Sequence, residues 1–224
     1  MAEIYIGSIH QFKTLNGIEL VTKTRGERIH RYLRTEDKAR CLLAGLLLRQ
    51  ICGVTDDCQL IYNENDKPYL KSSDTYFNIS HSGDYVVLAT ANREVGVDVE
   101  KVIPCSDEAA ACCSEAARCF TPQELEWIQH EGFRGSRDEA FYRLWTAKES
   151  VMKASGLGFS LSPETFCVLP LDSSAHYIAG KSWFLNWLYY DGHVICCAVE
   201  GEINDKPWEI KPVIMNPGDL LERG

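Results

Sequence analysis

Apolar residues recur at helical spacing before residue 53, and helix-start and helix-end signals mark three later parts of the chain. In residues 35–52 they occupy positions 39, 42, 43, 46 and 47, with Glu36 and Asp37 in the first turn and Gly53 after the end. Acidic residues favour helix starts and glycine favours helix ends, so the pattern predicts an amphipathic helix there. Similar signals predict helices over 107–119, from Pro122 onward, and over 137–155, which ends before Gly156.

Strand patterns occupy the stretches between these helices. Residues 76–79 and 85–91 are rich in strand-forming residues, and 95–99 alternate between apolar and other residues, which predicts a three-stranded antiparallel meander. Later strands are predicted over 165–169, 182–188 and 193–199. The repeated order of helices and strands predicts an α+β fold of two similar halves, covering residues 1–101 and 102–224.

Composition excludes several classes of protein. Asp and Glu outnumber Lys and Arg by 32 to 23 in 224 residues, a net charge of −9, which disfavours nucleic acid and anionic membranes as general partners. The N-terminus lacks a signal-peptide pattern and the longest apolar run, 41–48, cannot span a bilayer, so a cytoplasmic location is expected. None of the ten cysteines lies at C-x-x-C spacing, which favours reduced thiols over disulfides or a metal site.

Three acidic residues are candidates for a metal site. Asp98 and Glu100 alternate along a predicted strand, so both project from one face, and a hard cation such as Mg²⁺ would relieve their repulsion. The alternative is a solvated polar face. Glu124 is a further candidate, although Thr121-Pro122-Gln123-Glu124 also forms a capping box, which is a sufficient structural reason for a glutamate there.

A further acidic residue, Glu149, shares one face of a predicted helix with a lysine, Lys153. Glu149 and Lys153 are four residues apart and share a face with Trp145 one turn earlier. They are either a surface ion pair or a deprotonated base beside a cation that contacts an anionic substrate.

Basic residues cluster before the first long helix. Residues 28–40 contain four arginines, one lysine and one histidine, either to bind phosphate or as solubilising charge. Lys67 precedes Pro68 in a stiff turn, and Ser80 and His81 follow a predicted strand. A serine-hydrolase triad is not predicted, because no G-x-S-x-G elbow accompanies this Ser-His pair.

Together these motifs resemble one family, the surfactin-type (Sfp-like) 4′-phosphopantetheinyl transferase superfamily, over about residues 28–160. The matching segments follow the family order: the basic stretch through Arg40, Lys67-Pro68, Phe77-Asn78-Ile79-Ser80-His81-Ser82, Val95-Gly96-Val97-Asp98-Val99-Glu100, Phe120 with Glu124, and Trp145-Thr146-Ala147-Lys148-Glu149-Ser150 through Lys153. Each segment is common by itself, but all of them in register are specific.

The resemblance implies a fold, a reaction and a set of residues. The fold is two pseudo-twofold α+β halves with coenzyme A between them, and the reaction moves 4′-phosphopantetheine from coenzyme A to a serine of an apo acyl or peptidyl carrier protein. The resemblance implies Mg²⁺, or Mn²⁺, at Asp98, Glu100 and Glu124, and catalysis by Glu149 and Lys153. The residues implied to bind coenzyme A are Arg28, Arg31, Arg40, Lys67, Ser80, His81 and Lys153.

Further expectations follow from the resemblance. Trp145 is expected to shape the site, residues 104–118 to dock the carrier protein, and the protein to be a monomer. Many family members have glycine where this chain has Asp66, an unfavourable charge near a phosphate unless it points outward. Three alternatives remain: a catalytically silent coenzyme A-binding module, a Mg²⁺-dependent pyrophosphate hydrolase, and a scaffolding protein without either ligand.

Overall fold

The structure is a computed structural model that describes residues 2–104, 117–131, 137–172, 174–202, 205 and 210–221. The strands are β1 (Ala2–Ser8), β2 (Leu60–Tyr62), β3 (Pro68–Leu70), β4 (Tyr76–Ser82), β5 (Tyr85–Ala91), β6 (Val95–Lys101), β7 (Ala175–Ile178), β8 (Lys181–Tyr190), β9 (His193–Gly201) and β10 (Ile210–Ile214). The α-helices are α1 (Lys23–Arg31), α2 (Thr35–Cys52), α3 (Pro122–Glu131), α4 (Arg137–Ser155) and α5 (Pro217–Leu221). The fold is α+β, as predicted.

The chain forms two compact units, residues 1–93 with 209–224, and residues 94–208. The division falls before β6, whereas the predicted boundary at residue 101 would place it after β6. The C-terminal segment also belongs to the first unit, whereas the sequence placed it in the second half. The reason is strand pairing, because β10 lies parallel to β1, with Ala2 opposite Ile210 and Ile6 opposite Ile214.

The first unit has a four-stranded sheet in the order β10-β1-β5-β4, with α2 packed on it. The predicted helix over 35–52 is confirmed, and it ends at Gly53, which adopts φ 69° and donates its N–H to the carbonyl of Arg49. The residues from Cys41 to Leu48 are all buried, so this part of the helix is covered on every side rather than amphipathic. Pro212 is accommodated in β10 because an edge strand tolerates a residue without an N–H.

The second unit has an antiparallel sheet in the order β6-β9-β8-β7, with α4 packed against β6 and β9. The predicted meander is therefore wrong: β4 and β5 form a hairpin, whereas β6 pairs with β9 in the other sheet. The strands predicted over 182–188 and 193–199 are confirmed in β8 and β9. The strand predicted over 165–169 is wrong, because the N–H of Val168 bonds to a side chain, Glu124 Oε1, instead of a neighbouring strand.

The helix over 137–155 is confirmed, and a helix does begin at Pro122. Residues 107–116 of the helix predicted over 107–119 lie outside the described residues, and residues 117–119 form a 3₁₀ turn. No helix in the described part of the chain is long and apolar enough to cross a membrane. Seven cysteines lie within that part, and all seven are free thiols.

Candidate functional site

A cavity of about 660 Å³ in the first unit is lined by three arginines, Arg25, Arg28 and Arg40. Residues from α1, α2, β3 and β4 form its walls, and Tyr32 and Tyr62 supply aromatic surface. His81 at the end of β4 also lines the cavity. Guanidinium groups arranged around one concave space are suited to binding phosphate.

The arginines are positioned by contacts with α2 and with the β4–β5 turn. Arg40 donates to the carbonyl of Gly83 at 2.6 Å and to Asp37 Oδ1 at 2.5 Å, which fixes its guanidinium at the cavity wall. Arg25 donates to the carbonyl of Cys41 at 3.3 Å. A Cβ on Gly45 would lie 2.4 Å from the Cδ of Arg25, so this glycine provides the space that the arginine occupies.

The structure brings only part of the predicted coenzyme A set to the cavity. Arg28, Arg40 and His81 line it, whereas Arg31, Lys67 and Ser80 are not among its lining residues. Arg31 extends into solvent with an 80% exposed side chain and lies 3.9 Å from Glu27. Lys67 is buried, with its ammonium 5.2 Å from the centre of the Tyr69 ring. Arg25 was missed by the sequence analysis, although it lies three residues before Arg28 and therefore on the same helix face.

Asp66 occupies a turn that explains why glycine is common at this position. Its φ is 61°, in the left-handed region that favours glycine and that aspartate tolerates better than most residues. Its N–H donates to the carbonyl of Asn63 at 3.1 Å, which closes the turn. Asp66 lines the arginine cavity, so it adds a negative charge to the cavity wall.

The second unit contains a cluster of opposite charges where α4 meets β6. The Lys153 ammonium donates to Asp98 Oδ1 at 2.5 Å. The Asp98 side chain is 4% exposed, whereas the Lys153 side chain is 29% exposed. The interpretation of β6 as a solvated polar face is therefore wrong for Asp98. Val95, Val97 and Val99 are also fully buried, so β6 is covered on both faces.

Gly96 explains how the helix comes so close to the strand. A Cβ at this position would lie 2.1 Å from the carbonyl oxygen of Ser150 and 2.4 Å from the amide nitrogen of Ala154. Any side chain at 96 would push α4 away from β6. Because strand side chains alternate, Gly96, Asp98 and Glu100 share the face that lies under α4. The glycine therefore allows Lys153 to reach Asp98.

Glu149 lies one turn before Lys153 on α4, and it is half-buried. Burial raises the pKa of its carboxyl group above the usual glutamate value, the Lys153 charge opposes this rise, and the Asp98 charge adds to it. Two carboxylates and one ammonium thus influence one another in a partly dehydrated region. This arrangement favours a carboxyl group able to exchange a proton.

Glu124 does not form part of that cluster. It is fully buried, and its Oε2 accepts from the N–H and hydroxyl of Thr121 at 2.8 and 3.0 Å, which is the capping box of the sequence. The same oxygen lies 2.8 Å from the ammonium of Lys148. With Oε1 bonded to the N–H of Val168, both oxygens have protein partners. The expectation that Glu124 binds a metal is thus replaced by a structural role at the start of α3.

The sequence did not indicate that Lys148 is the partner of Glu124. Its ammonium donates to the carbonyls of Pro163 and Phe166 at 2.7 and 2.5 Å and lies 4.4 Å from the centre of the Phe166 ring. Burial lowers the pKa of this lysine, and the bond to Glu124 opposes that shift. Trp145, on the same helix, packs parallel to the Phe141 ring with 6.5 Å between centroids, at the hydrophobic core of the second unit.

Within the described ranges, no three His, Cys, Asp or Glu side chains form a group that could hold a metal ion. A magnesium site does not require three, because Mg²⁺ is often bound by one or two carboxylates together with waters and substrate phosphates. Asp98 and Glu100 fit this description, since both are oxygen donors on one strand face. Glu124 does not fit it.

Comparison with known proteins finds two family models that match this chain. A family model described as 4′-phosphopantetheinyl transferase superfamily matches residues 94–199, and one described as 4′-phosphopantetheinyl transferase, N-terminal, matches residues 8–93. The two matches therefore meet where the structure divides into its two units.

Curated relatives carry the same name. The chain is 30% identical over 207 residues to 4′-phosphopantetheinyl transferase Sfp of Bacillus subtilis (strain 168), covering 90% of this chain and 80% of the relative. It is 33% identical over 153 residues to 4′-phosphopantetheinyl transferase gsp of Aneurinibacillus migulanus, covering 66% and 61%. It is 35% identical over 162 residues to the L-aminoadipate-semialdehyde dehydrogenase-phosphopantetheinyl transferase of Xenopus laevis, covering 65% and 53%. The match thus spans less than two thirds of the latter two relatives. The chain belongs to the 4′-phosphopantetheinyl transferase superfamily.

Proposed function

We propose that this protein transfers 4′-phosphopantetheine from coenzyme A to a serine of an apo acyl or peptidyl carrier protein, releasing 3′,5′-ADP. The observation that carries the proposal is the cluster of Asp98, Glu149 and Lys153 at the contact between β6 and α4. It combines an acidic metal-binding face, a base and a cation. A silent binding module has no need for this combination.

The arginine cavity is the proposed site for the 3′,5′-ADP end of coenzyme A. Arg28 and Arg40 face the cavity and supply fixed positive charge, whereas Arg31 on the same helix as Arg28 extends into solvent. This difference provides a matched test by calorimetric titration with 3′,5′-ADP. Arg28→Ala should weaken binding about tenfold or more, as expected for loss of a charge-assisted contact, and Arg31→Ala should change it less than about threefold. Equal losses would contradict the assignment of the cavity.

The carboxylates of Asp98 and Glu100 are the proposed ligands of Mg²⁺, or of Mn²⁺ in its place. When bound there, such an ion neutralises negative charge on the pyrophosphate oxygens of the donor. Glu124 is not included in this set, because Lys148, Thr121 and Val168 already occupy its oxygens.

The remaining steps belong to residues of α4. The serine hydroxyl oxygen forms a bond to the β-phosphorus of coenzyme A while the bond to the bridging oxygen breaks and 3′,5′-ADP leaves. Glu149 accepts the serine proton, for which its raised pKa is favourable, and such a base contributes about 10²–10⁴-fold in rate. Lys153 donates to a phosphate oxygen through an ammonium that retains access to solvent.

The acceptor is proposed to be a carrier domain of fatty-acid, polyketide or nonribosomal peptide synthesis, or one attached to an aminoadipate-semialdehyde dehydrogenase. We also propose a monomer that acts in the cytoplasm. The docking segment predicted over 104–118 lies mostly outside the described residues and stays a prediction. Its test is bulky substitution there, which should raise the KM for the carrier and leave coenzyme A affinity unchanged.

Intact-mass spectrometry of apo carrier proteins incubated with this protein and coenzyme A tests the function directly. The expected result is one added phosphopantetheine in the presence of Mg²⁺ and none in EDTA. Release of 3′,5′-ADP without a modified carrier would indicate a hydrolase. Coenzyme A binding without either product, on carriers of all four kinds, would indicate a silent binding module.

A further inference from the structure

Two carboxylates line the arginine cavity of the first unit, and only one of them has a cationic partner. Asp37 lies 2.5 Å from the guanidinium of Arg40, so the two opposite charges offset each other at the cavity wall. Asp66 lines the same cavity from the turn that precedes β3. Within the described part of the chain, the Asp66 carboxylate forms neither a hydrogen bond nor an ion pair. Its negative charge therefore acts on whatever enters the cavity.

The charged side chains of the lining determine how strongly the cavity attracts anions. Three arginines and two aspartates leave a net charge of +1, with His81 not counted. Without the charge of Asp66 the same lining would carry +2. Charge interactions act across a cavity of this size, because salt screens them only over about 8–10 Å at ordinary ionic strength. Asp66 thus lowers the attraction for every phosphate in the cavity.

The fold does not require a charge at position 66. The backbone φ of 61° is tolerated by glycine, asparagine and aspartate. The turn is closed by the main chain, since the N–H of Asp66 donates to the carbonyl of Asn63. A neutral residue that tolerates this φ would keep the turn, so the carboxylate affects binding and not local structure.

The proposed reaction increases the negative charge of the group held in the cavity. In coenzyme A the 5′-phosphate is esterified within a pyrophosphate, whereas in 3′,5′-ADP it is a free monoester. Each phosphate monoester carries about −1.5 to −2 at pH 7, so 3′,5′-ADP carries about −3 to −4. A carboxylate in the cavity wall opposes retention of this product.

We propose that Asp66 is a specificity-determining residue of the arginine cavity, which weakens the binding of nucleotides in proportion to their negative charge and thereby promotes release of 3′,5′-ADP. This inference rests on the proposed function, which assigns the cavity to that end of coenzyme A. The arginines supply the attraction for phosphate, and Asp66 limits it. The affinity for the product is consequently lower than these arginines alone would give.

The test is calorimetric titration of the full chain with 3′,5′-ADP, 5′-AMP and adenosine, in EDTA and without a carrier protein. Asp66→Asn removes the charge but keeps the size of the side chain and the tolerance for this φ. At low ionic strength the variant should bind 3′,5′-ADP about threefold more tightly or better, and 5′-AMP with a smaller gain. Adenosine affinity should change less than about 1.5-fold, and the gains should largely disappear in about 1 M salt, where charges are screened within about 3 Å.

Two further variants make the result specific. Glu64→Gln neutralises an exposed carboxylate of the same turn that does not line the cavity, and it should change the affinity for 3′,5′-ADP less than about 1.5-fold. Asp66→Gly should reproduce the gain of Asp66→Asn, and it tests the idea if the asparagine variant does not fold.

Three results overturn the proposal. Weaker binding of 3′,5′-ADP by Asp66→Asn would make the carboxylate an attractive contact for the nucleotide. An equal gain for adenosine would show an effect of shape and not of charge. A gain in Glu64→Gln as large as that in Asp66→Asn would show a general effect of net charge.

The outcome is separable from the proposed function, because no carrier protein takes part in the titration. A protein that modifies a carrier but whose nucleotide affinities do not respond to Asp66→Asn retains the transferase function and loses this inference. A protein that modifies no carrier but shows the charge-dependent gain retains the inference and loses the transferase function. If 3′,5′-ADP does not bind the unaltered protein, the inference is overturned, whereas carrier modification still decides the function.

Discussion

Two lysine–carboxylate pairs on the same helix, Lys148 with Glu124 and Lys153 with Asp98, have opposite surroundings. The first pair is sealed, with both side chains at most 1% exposed and each charged group bonded to further protein groups. The second has a buried acid and a lysine that still reaches solvent. The two lysines are about 140° apart around the helix axis at 3.6 residues per turn, so they face different neighbours.

The difference separates a structural ion pair from a functional one. A cation with all its partners inside the protein has no capacity to bind a ligand, and its removal leaves an unpaired buried charge. A cation whose side chain still reaches water, as that of Lys153 does, can contact a ligand. We therefore expect substitutions at the sealed pair to change the free energy of unfolding, and substitutions beside the second pair to change catalysis.

The largest effect is expected for Glu149→Gln, next to the second pair. Loss of the base should lower kcat about 10²–10⁴-fold, with little change in the affinity for coenzyme A. Steady-state kinetics with a carrier protein checks this, and Glu126→Gln, at an exposed site on α3, is the control. A change in KM alone would exclude the base role. Loss of Mn²⁺ binding equal to that of Asp98→Asn would identify Glu149 as a metal ligand instead.

Lys148→Met tests the sealed pair. It leaves the Glu124 carboxylate buried without its cation, and the free energy of unfolding should fall by about 3–5 kcal/mol in urea denaturation. Lys181→Met, which breaks an exposed pair, should cost less than about 1 kcal/mol. Adding Glu124→Gln to Lys148→Met should recover part of the loss, because no uncompensated charge remains. A loss below that of Lys181→Met would show that the sealed pair is not structural.

Gly96→Ala tests whether close backbone contact creates the second pair. The added methyl group overlaps the backbone of α4, so stability should fall by about 1–3 kcal/mol or more. Mn²⁺ affinity in the presence of coenzyme A should also fall, because the displaced α4 carries Lys153, the proposed phosphate contact, away from the proposed metal ligands on β6. Gly26→Ala, which meets nothing within 4 Å in α1, should not destabilise the protein. A stable variant with unchanged Mn²⁺ affinity would contradict this role.

The smallest effect concerns His176, a buried polar group with less complete bonding than Lys148. No hydrogen-bond partner of its Nε2 occurs among the described residues, and burial lowers its pKa below the ordinary 6.5. Between the two pKa values the unfolded chain binds more protons, so stability should decrease as the pH falls below 6.5. His176→Leu should reduce this part of the pH dependence in thermal unfolding. An identical slope in both proteins would assign the dependence to other groups.

The sequence predicted the elements whose signals are local. The helices over 35–52 and 137–155 follow from periodicity and end signals. Strand and helix spacing made Asp98, Glu149 and Lys153 candidates, and only the family resemblance implied their roles. The capping box of Thr121 and Glu124 was also visible, and the contacts of Glu124 agree with that interpretation rather than with a metal ligand.

The features that the sequence did not predict depend on distant partners. In the sequence, Lys148 cannot be distinguished from an exposed helix lysine, because its bonds to the carbonyls of Pro163 and Phe166 join residues distant along the chain. Gly96 has an evident purpose only when Ser150 lies against it. The pairing of β6 with β9 instead of β5 joins segments about a hundred residues apart, which no local pattern specifies.

The parallel pairing of β1 with β10 has a consequence for synthesis of the chain. β1 can pair with β5 early, but its other edge stays open until the whole second unit has left the ribosome, a delay on the order of ten seconds at about 5–20 residues per second. During that time an unpaired strand edge is exposed in a nascent protein, the kind of surface that promotes aggregation. Chaperone demand during translation, and the solubility of chains truncated before Ile210, are therefore governed by whether β10 is present to cover this edge of β1.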